Sequence, residues 1–276
     1  DEHISADNAG NLTIGAGVDL NLTATTDINI PVNVGLRFGD GGENIETDNT
    51  SLTITAATAS ALVLDANSKI SLSNNDSGGT GGADSLSGNT IFGYKAGNAI
   101  SSGDVNNVLI GHNAGLVINA GEANHIIGTN AADALTSGSL NTVFGYFALS
   151  TSTDVDRAVA IGAGAMESGD VNAVADGTVA IGYNALNDLT TGQANVAIGY
   201  ETLDVNQTSD YNTAVGYQAL SAVNGDGDGG NTAVGFKAGL VVTSGTYNTL
   251  IGRTAGLAIA GGAGNTVIGA EAGKAI

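Results

Sequence analysis

NTVFGYFAL at 141–149 and NTAVGYQAL at 212–220 are two copies of one phrase, Asn-Thr-apolar-apolar-Gly-x-x-Ala-apolar, which recurs in degenerate form eleven times between Asn89 and the C-terminus. Its glycines are Gly93, Gly111, Gly128, Gly145, Gly162, Gly182, Gly199, Gly216, Gly235, Gly252 and Gly269, and seven of their ten successive spacings are 17 residues. A period that short, punctuated by Gly and Asn, is that of a β-solenoid in which each repeat is one coil that can bury its apolar face only by stacking on the next. The fold expected is therefore all-β, a parallel β-roll or β-solenoid of about eleven coils over 89–276.

Within a coil, the residue before the glycine is always large and apolar, from Phe92 and Ile110 through Ile198 to Ile268. The residue before that is apolar too, but often Ala. Neighbouring residues of a strand point to opposite faces, so both faces of this strand avoid water: one fills the coil, and the other implies a neighbouring chain. By size, the column before the glycine is expected to be the core. Seventeen residues have room for two strands of about five residues and two turns, with the second strand at positions such as Gly239 to Thr243. Nine of the eleven coils carry Asn four residues before the glycine, the exceptions being Ala158 and Thr178, and stacked Asn amides can hydrogen-bond from coil to coil. Insertions at 166–177 and 221–230 lengthen two coils and are expected to bulge as loops without breaking the stack.

Residues 1–73 follow another rule. From Ile28 to Phe38 every even position is apolar, with shorter echoes at Leu12/Ile14, Leu52/Ile54 and Ile70/Leu72, which is the alternation of one-sided strands. A three-chain β-prism would cover such faces, and so would a small antiparallel sandwich. The segment 74–88, NNDSGGTGGADSLSG, has no apolar periodicity and reads as a Gly/Ser-rich joint. The chain opens at Asp1 without Met and stops within a repeat, as expected of a segment of a longer polypeptide. An uncapped solenoid end leaves unpaired strand edges that favour end-to-end assembly.

Composition narrows the function classes. The formal charge is −20, with only seven Lys and Arg, and it is spread along the chain, so no phosphate-neutralising stripe for nucleic acid or anionic lipid can be built. No run of 18 apolar residues suggests membrane insertion. There is no cysteine. GDGDGG at 225–230 matches a dinucleotide glycine pattern in form, but Asp226 and Asp228 would repel a pyrophosphate and no βαβ unit surrounds it. The same stretch resembles the start of a calcium loop, with Gly235 standing where the bidentate Glu should be; Asp226 and Asp228 are the only candidate cation ligands. His3, His112 and His125 make no metal-ligand spacing. No nucleophile elbow, Walker loop or zincin motif is present. The expectation is a non-enzyme with no cofactor. Aromatic residues directly follow the glycine at Tyr94, Tyr146, Tyr183, Tyr200, Tyr217 and Phe236, a column that could stack on sugars or shield the glycines.

VAIG at 179–182, AVAIGAGAM at 158–166 and the recurring NTAVGY resemble the head repeats of trimeric autotransporter adhesins of the YadA-like β-roll type, and equally the repeats of phage tail fibres and other virion structural proteins. The resemblance covers 89–276 and is specific to the repeat class; adhesin head repeats are typically shorter than 17 residues. DINIPVNVGLRFGDGGENIETDNTSLTI at 27–54 looks more like segments of marine phage structural proteins. The resemblance implies a homotrimer and an extracellular structural or attachment fibre, a viral tail-fibre shaft that adheres to a host-surface glycan or protein receptor. The head of a bacterial cell-surface adhesin is the alternative, and a repeat-built polysaccharide-active enzyme a remote one.

Overall fold

A computed structural model describes residues 3–6, 12–15, 88–101, 103–169, 171–172, 175–225 and 227–274. The chain divides into two units, Asp1–Ser68 and Lys69–Ile276. In the first, β1 (His3–Ala6) pairs antiparallel with β2 (Leu12–Gly15), setting Ile4 opposite Ile14 and Ala6 opposite Leu12. The strand expected at 28–38 and all of the 74–88 joint except Gly88 lie outside the described residues.

The second unit is a parallel β-solenoid. Eleven three-residue strands form one sheet in chain order: β3 (Thr90–Phe92), β4 (Val108–Ile110), β5 (His125–Ile127), β6 (Thr142–Phe144), β7 (Val159–Ile161), β8 (Val179–Ile181), β9 (Val196–Ile198), β11 (Thr213–Val215), β13 (Thr232–Val234), β14 (Thr249–Ile251) and β15 (Thr266–Ile268). At the strand spacing of about 4.8 Å, ten steps make a sheet roughly 50 Å long. Register is kept across both lengthened coils, Val159 facing Val179 and Thr213 facing Thr232. In the first insertion Val171 and Ala175 are buried, so that turn stays tied to the core. In the second, Gly227 and Asp228 are exposed.

The expected second strand per coil is replaced by turns. Among the described residues only β10 (Ser209–Asp210) and β12 (Gly227–Asp228) make a second parallel pairing, two residues long. The reason is conformational: the residue four places after the glycine, where that strand would begin, takes left-handed φ in coil after coil, as at Leu203 (φ 53) and Gly239 (φ 63). The residues after it close turns, Leu240 N–H donating to Lys237 O at 3.3 Å and Val242 N–H to Gly239 O at 3.0 Å. The coils still bond there, Leu203 N–H donating to Ala219 O at 3.1 Å and Gln218 N–H to Tyr200 O at 2.8 Å.

The repeated glycine is demanded twice over. At Gly199 φ is +138°, and an added Cβ would lie 2.5 Å from Gly216 O of the next coil. Only a residue without a side chain allows both the dihedral and the approach.

The core column is the opposite of the one that size suggested. The residue two before the glycine is fully buried (Leu109, Ile126, Ala160, Ala180, Ala197, Ala214, Ala233, Leu250), whereas Ile198 is 36% exposed and Phe144 55%. Small residues point inward because each coil is thin and its interior is shared with the residue six places later. Where the inward residue is Ala, that partner is large in four of five coils: Ala160 with Met166, Ala180 with Leu186, Ala197 with Leu203, Ala214 with Leu220. In the fifth, Ala233 with Gly239, Leu220 and Leu250 of the neighbouring coils fill the space. Where it is Leu, the partner is Gly: Leu109 with Gly115, Leu250 with Gly256. A Cβ on Gly256 would meet Leu250 Cδ2 at 2.9 Å. Volume is exchanged within a coil and between neighbouring coils, which keeps the interior close-packed.

The Asn column runs as a buried ladder. Asn124 Oδ1 accepts both the backbone N–H of Asn141 at 3.1 Å and its Nδ2–H at 3.0 Å, and Asn141 Nδ2 also donates to Val155 O at 2.7 Å. The same geometry recurs from Asn195 through Asn212, Asn231 and Asn248 to Asn265. It is interrupted at Ala158 and Thr178, and the buried Thr178 Oγ1 has no hydrogen-bond partner.

Two outcomes follow from this packing. Thr178→Asn should raise the melting temperature, adding about 1 kcal/mol, because it supplies the missing amide and removes an unsatisfied hydroxyl; unchanged melting would refute a stabilising ladder. Ala197→Leu should cost about 1–3 kcal/mol by overpacking, and Leu203→Ala in the same chain should recover part of that loss. Simple additivity of the two substitutions in chemical denaturation would contradict the volume exchange.

Candidate functional site

Every second residue of a strand shares a face, so the outward face of the sheet is built from the residues three before and one before the glycine. The second of these rows is Phe92, Ile110, Ile127, Phe144, Ile161, Ile181, Ile198, Val215, Val234, Ile251 and Ile268, with Thr or Val beside it in ten of the eleven strands and His125 in the other. Phe92, Phe144, Ile198, Val234, Ile251 and Ile268 are exposed and the other five partly so. A contiguous apolar stripe running the length of a sheet is larger than the scattered exposed residues normal for a soluble surface.

The aromatic column lies on the other side of the glycines. Tyr183, Tyr200, Tyr217 and Phe236 stack ring on ring, with centroids 5.2, 5.0 and 5.3 Å apart and planes within 16°, 4° and 15° of parallel. Tyr94 stacks on His112 at 5.4 Å. The faces of the inner rings are covered by their neighbours, so the column offers ring edges and hydroxyls rather than flat platforms. Sugar stacking on an open ring face has no place between the rings. Lys237 Nζ lies alongside the last two rings of the longer stack, 5.8 Å from the Tyr217 centroid and 5.4 Å from that of Phe236.

Acidic side chains gather on the turn side of neighbouring coils. Burial, together with the Glu201 and Asp188 carboxylates, pushes Asp204 from 3.8 up to about 6. Glu201 Oε2 accepts a hydrogen bond from Gln218 Nε2 at 2.7 Å. At the lengthened coil, Asp226 lies outside the described residues, while Asp228 is exposed and accepts a hydrogen bond from Tyr247 O–H at 3.3 Å. Among the described residues no group of three or more His, Cys, Asp or Glu could hold a metal ion. His112 stands in the aromatic column and His125 on the outward sheet face. A cavity of about 140 Å³ lies beneath this loop between Ser209, Val223 and the 243–246 turn, and its polar lining is hydroxyls and backbone without a titratable group. No helix among the described residues is long and apolar enough to cross a membrane.

Comparison of the chain with protein-family models, with curated proteins and with solved structures found no match in any of the three. The repeat geometry therefore carries the functional reading. Sequence reasoning found the columns but missed the acidic group around Asp204, because Asp188 and Asp204 occupy neighbouring rather than identical positions of their coils and meet only when those coils stack.

The raised Asp204 carboxyl gives a pH test. A group whose folded value lies above its unfolded one contributes stability that is fully present below about 3.8 and lost as pH rises through about 6. Asp204→Asn should therefore raise the melting temperature at pH 7.5, with the gain shrinking to nothing by pH 3.5. A gain that is independent of pH would show that charge is not the cause.

Proposed function

We propose that the repeat array is a structural and attachment segment of an extracellular fibre, the shaft of a viral tail fibre, in which three parallel copies bring their outward sheet faces together. The observation that carries this reading is the unbroken row of large apolar residues on that face. An isolated solenoid gains nothing from keeping Ile, Val or Phe there in all eleven coils, since the inward column already supplies its core. A second apolar face on a straight, regular sheet is the feature that face-to-face packing of identical chains requires, and removing it from water is worth about 25 cal/mol per Å² buried.

In such an assembly the turns remain outside. They carry the acidic residues and the exposed Gly227–Asp228 pairing, and this is where a host-surface glycan or protein would be met. Three copies of a weak contact on one rod bind more strongly than one, because each later contact is intramolecular once the first has formed. The same rigidity that keeps the register constant from β3 to β15 keeps those contacts at fixed spacing.

Light scattering on the intact chain should give about three times the 27.0 kDa of one copy, and antibody against 89–276 should label fibres on virions by electron microscopy. Ile198→Asp separates assembly from folding. It should lower the assembly to single chains with the β-rich circular dichroism retained, whereas Ala197→Asp, which puts a carboxylate inside the coil, should unfold it. A wild-type chain that is folded and monomeric at all concentrations would overturn the proposal.

A further inference from the structure

The aromatic stack has a chemistry that neither folding nor fibre assembly uses. Tyr200 lies between Tyr183 and Tyr217, one coil to either side, at 5.2 and 5.0 Å between centroids. All three are 41–49% exposed. The Glu201 carboxylate, itself held by Gln218 Nε2 at 2.7 Å, holds the neighbouring Tyr200 phenol above its usual range through hydrogen bonding. Of the four tyrosines outside this stack, Tyr94 stacks on a histidine, Tyr146 meets Phe147 edge-on at 4.4 Å, Tyr247 donates to Asp228, and Tyr211 is half-exposed outside the aromatic column. We propose that Tyr200 and its stacked neighbours Tyr183 and Tyr217 form an oxidative cross-linking site, at which a one-electron oxidant of the peroxidase class joins tyrosines of adjacent coils as dityrosine.

The geometry supplies each requirement of the reaction. A phenol is oxidised most readily when its proton has somewhere to go, and the Glu201 carboxylate accepts the proton as the electron leaves Tyr200. The resulting phenoxyl radical does not need to diffuse, because a second phenol is already stacked against it on each side. When that phenol also loses one electron and one proton, a carbon–carbon bond forms between the ring carbons beside the two hydroxyls. The hydrogens on those carbons then move to the oxygens, restoring two phenols. Two tyrosines have together lost two electrons and two protons, and one hydrogen peroxide has become two waters. The half-exposed rings can hinge toward each other at their outer edges, where the reacting carbons lie.

The ends of the stack bound the site. Phe236 has no phenol and cannot couple. Lys237 Nζ lies 5.8 Å from the Tyr217 centroid, and its positive charge opposes removal of an electron there. Oxidation therefore begins at Tyr200. A covalent staple here would join coils just beyond the Thr178 interruption of the Asn ladder, where the amide chain is missing.

The test uses the full chain in dilute solution with horseradish peroxidase and hydrogen peroxide, reading dityrosine fluorescence and peptide masses. Cleavage at glutamate leaves Tyr183 and Tyr200 together on residues 168–201 and places Tyr217 on the following fragment. The proposal expects either fragment 168–201 lighter by two hydrogens, or that fragment joined to its successor, in a product with the mass of a single chain. Tyr200→Phe preserves the stack, as Phe236 already does, and should lose most of the fluorescence. Tyr94→Phe should keep it, and Glu201→Gln should slow its appearance. Full yield in Tyr200→Phe, oxidation spread evenly over the seven tyrosines, or cross-links formed only between chains would each overturn it.

Discussion

A buried asparagine whose Oδ1 accepts two N–H groups from the next coil is the interaction that locks the register of this protein on either side of Ala158 and Thr178, where the parallel sheet alone carries it across. Asn124 receives both the main-chain and the side-chain N–H of Asn141, and Asn141 reaches on to Val155 O. Such an amide cannot tolerate a slip of even one residue, since buried donors would then lose their partners at a cost of about 1–3 kcal/mol each. With the register held, every other column falls into line. The glycines stack close enough that an added Cβ on Gly199 would strike Gly216 O, and the rings of Tyr183, Tyr200 and Tyr217 fall face to face.

Regularity does not require identical coils. The interior accepts Ala197 with Leu203 in one coil and Leu250 with Gly256 in another, and where both positions are small, as at Ala233 with Gly239, Leu220 and Leu250 of the neighbouring coils reach in. The two lengthened coils show a related tolerance. Val171 and Ala175 keep the 166–177 turn packed, while the 221–230 turn sends Gly227 and Asp228 outward, and the sheet passes both without losing register. The Asn ladder is less forgiving. Its gap coincides with Ala158 and Thr178, where an unpartnered hydroxyl is left inside.

The two faces of the sheet divide the work of the molecule. The inward row holds a coil to itself, and the outward row of Ile, Val and Phe has no use within one chain. On the proposed reading, that row packs against copies of the same chain, and the turns, with their surplus of carboxylates, are left to meet a partner. The aromatic column belongs to neither surface. Its ring faces are spent on each other, so its reactivity lies in the phenols along its edge.

The sequence by itself determined the solenoid, its coil number and its columns, because a 17-residue period with Gly and Asn at fixed places leaves few other ways to bury short apolar pairs. It also placed the Asn ladder and its two exceptions. It did not determine which of two adjacent apolar columns faces inward. Size pointed to Ile198 and its equivalents, and only the packed coil showed that Ala197 is the inward residue, because its cavity is already filled by Leu203 six residues away. The second strand per coil was likewise lost to a left-handed residue at its start, such as Leu203, and to the turn that follows, Asn206 N–H donating to Leu203 O; the Leu203 side chain gives no local sign of that conformation. The meeting of Asp204 with Glu201 and Asp188, and of Tyr200 with its neighbours at 5 Å, exists only once coils are stacked, since contacts across a 17-residue step are made by tertiary structure alone.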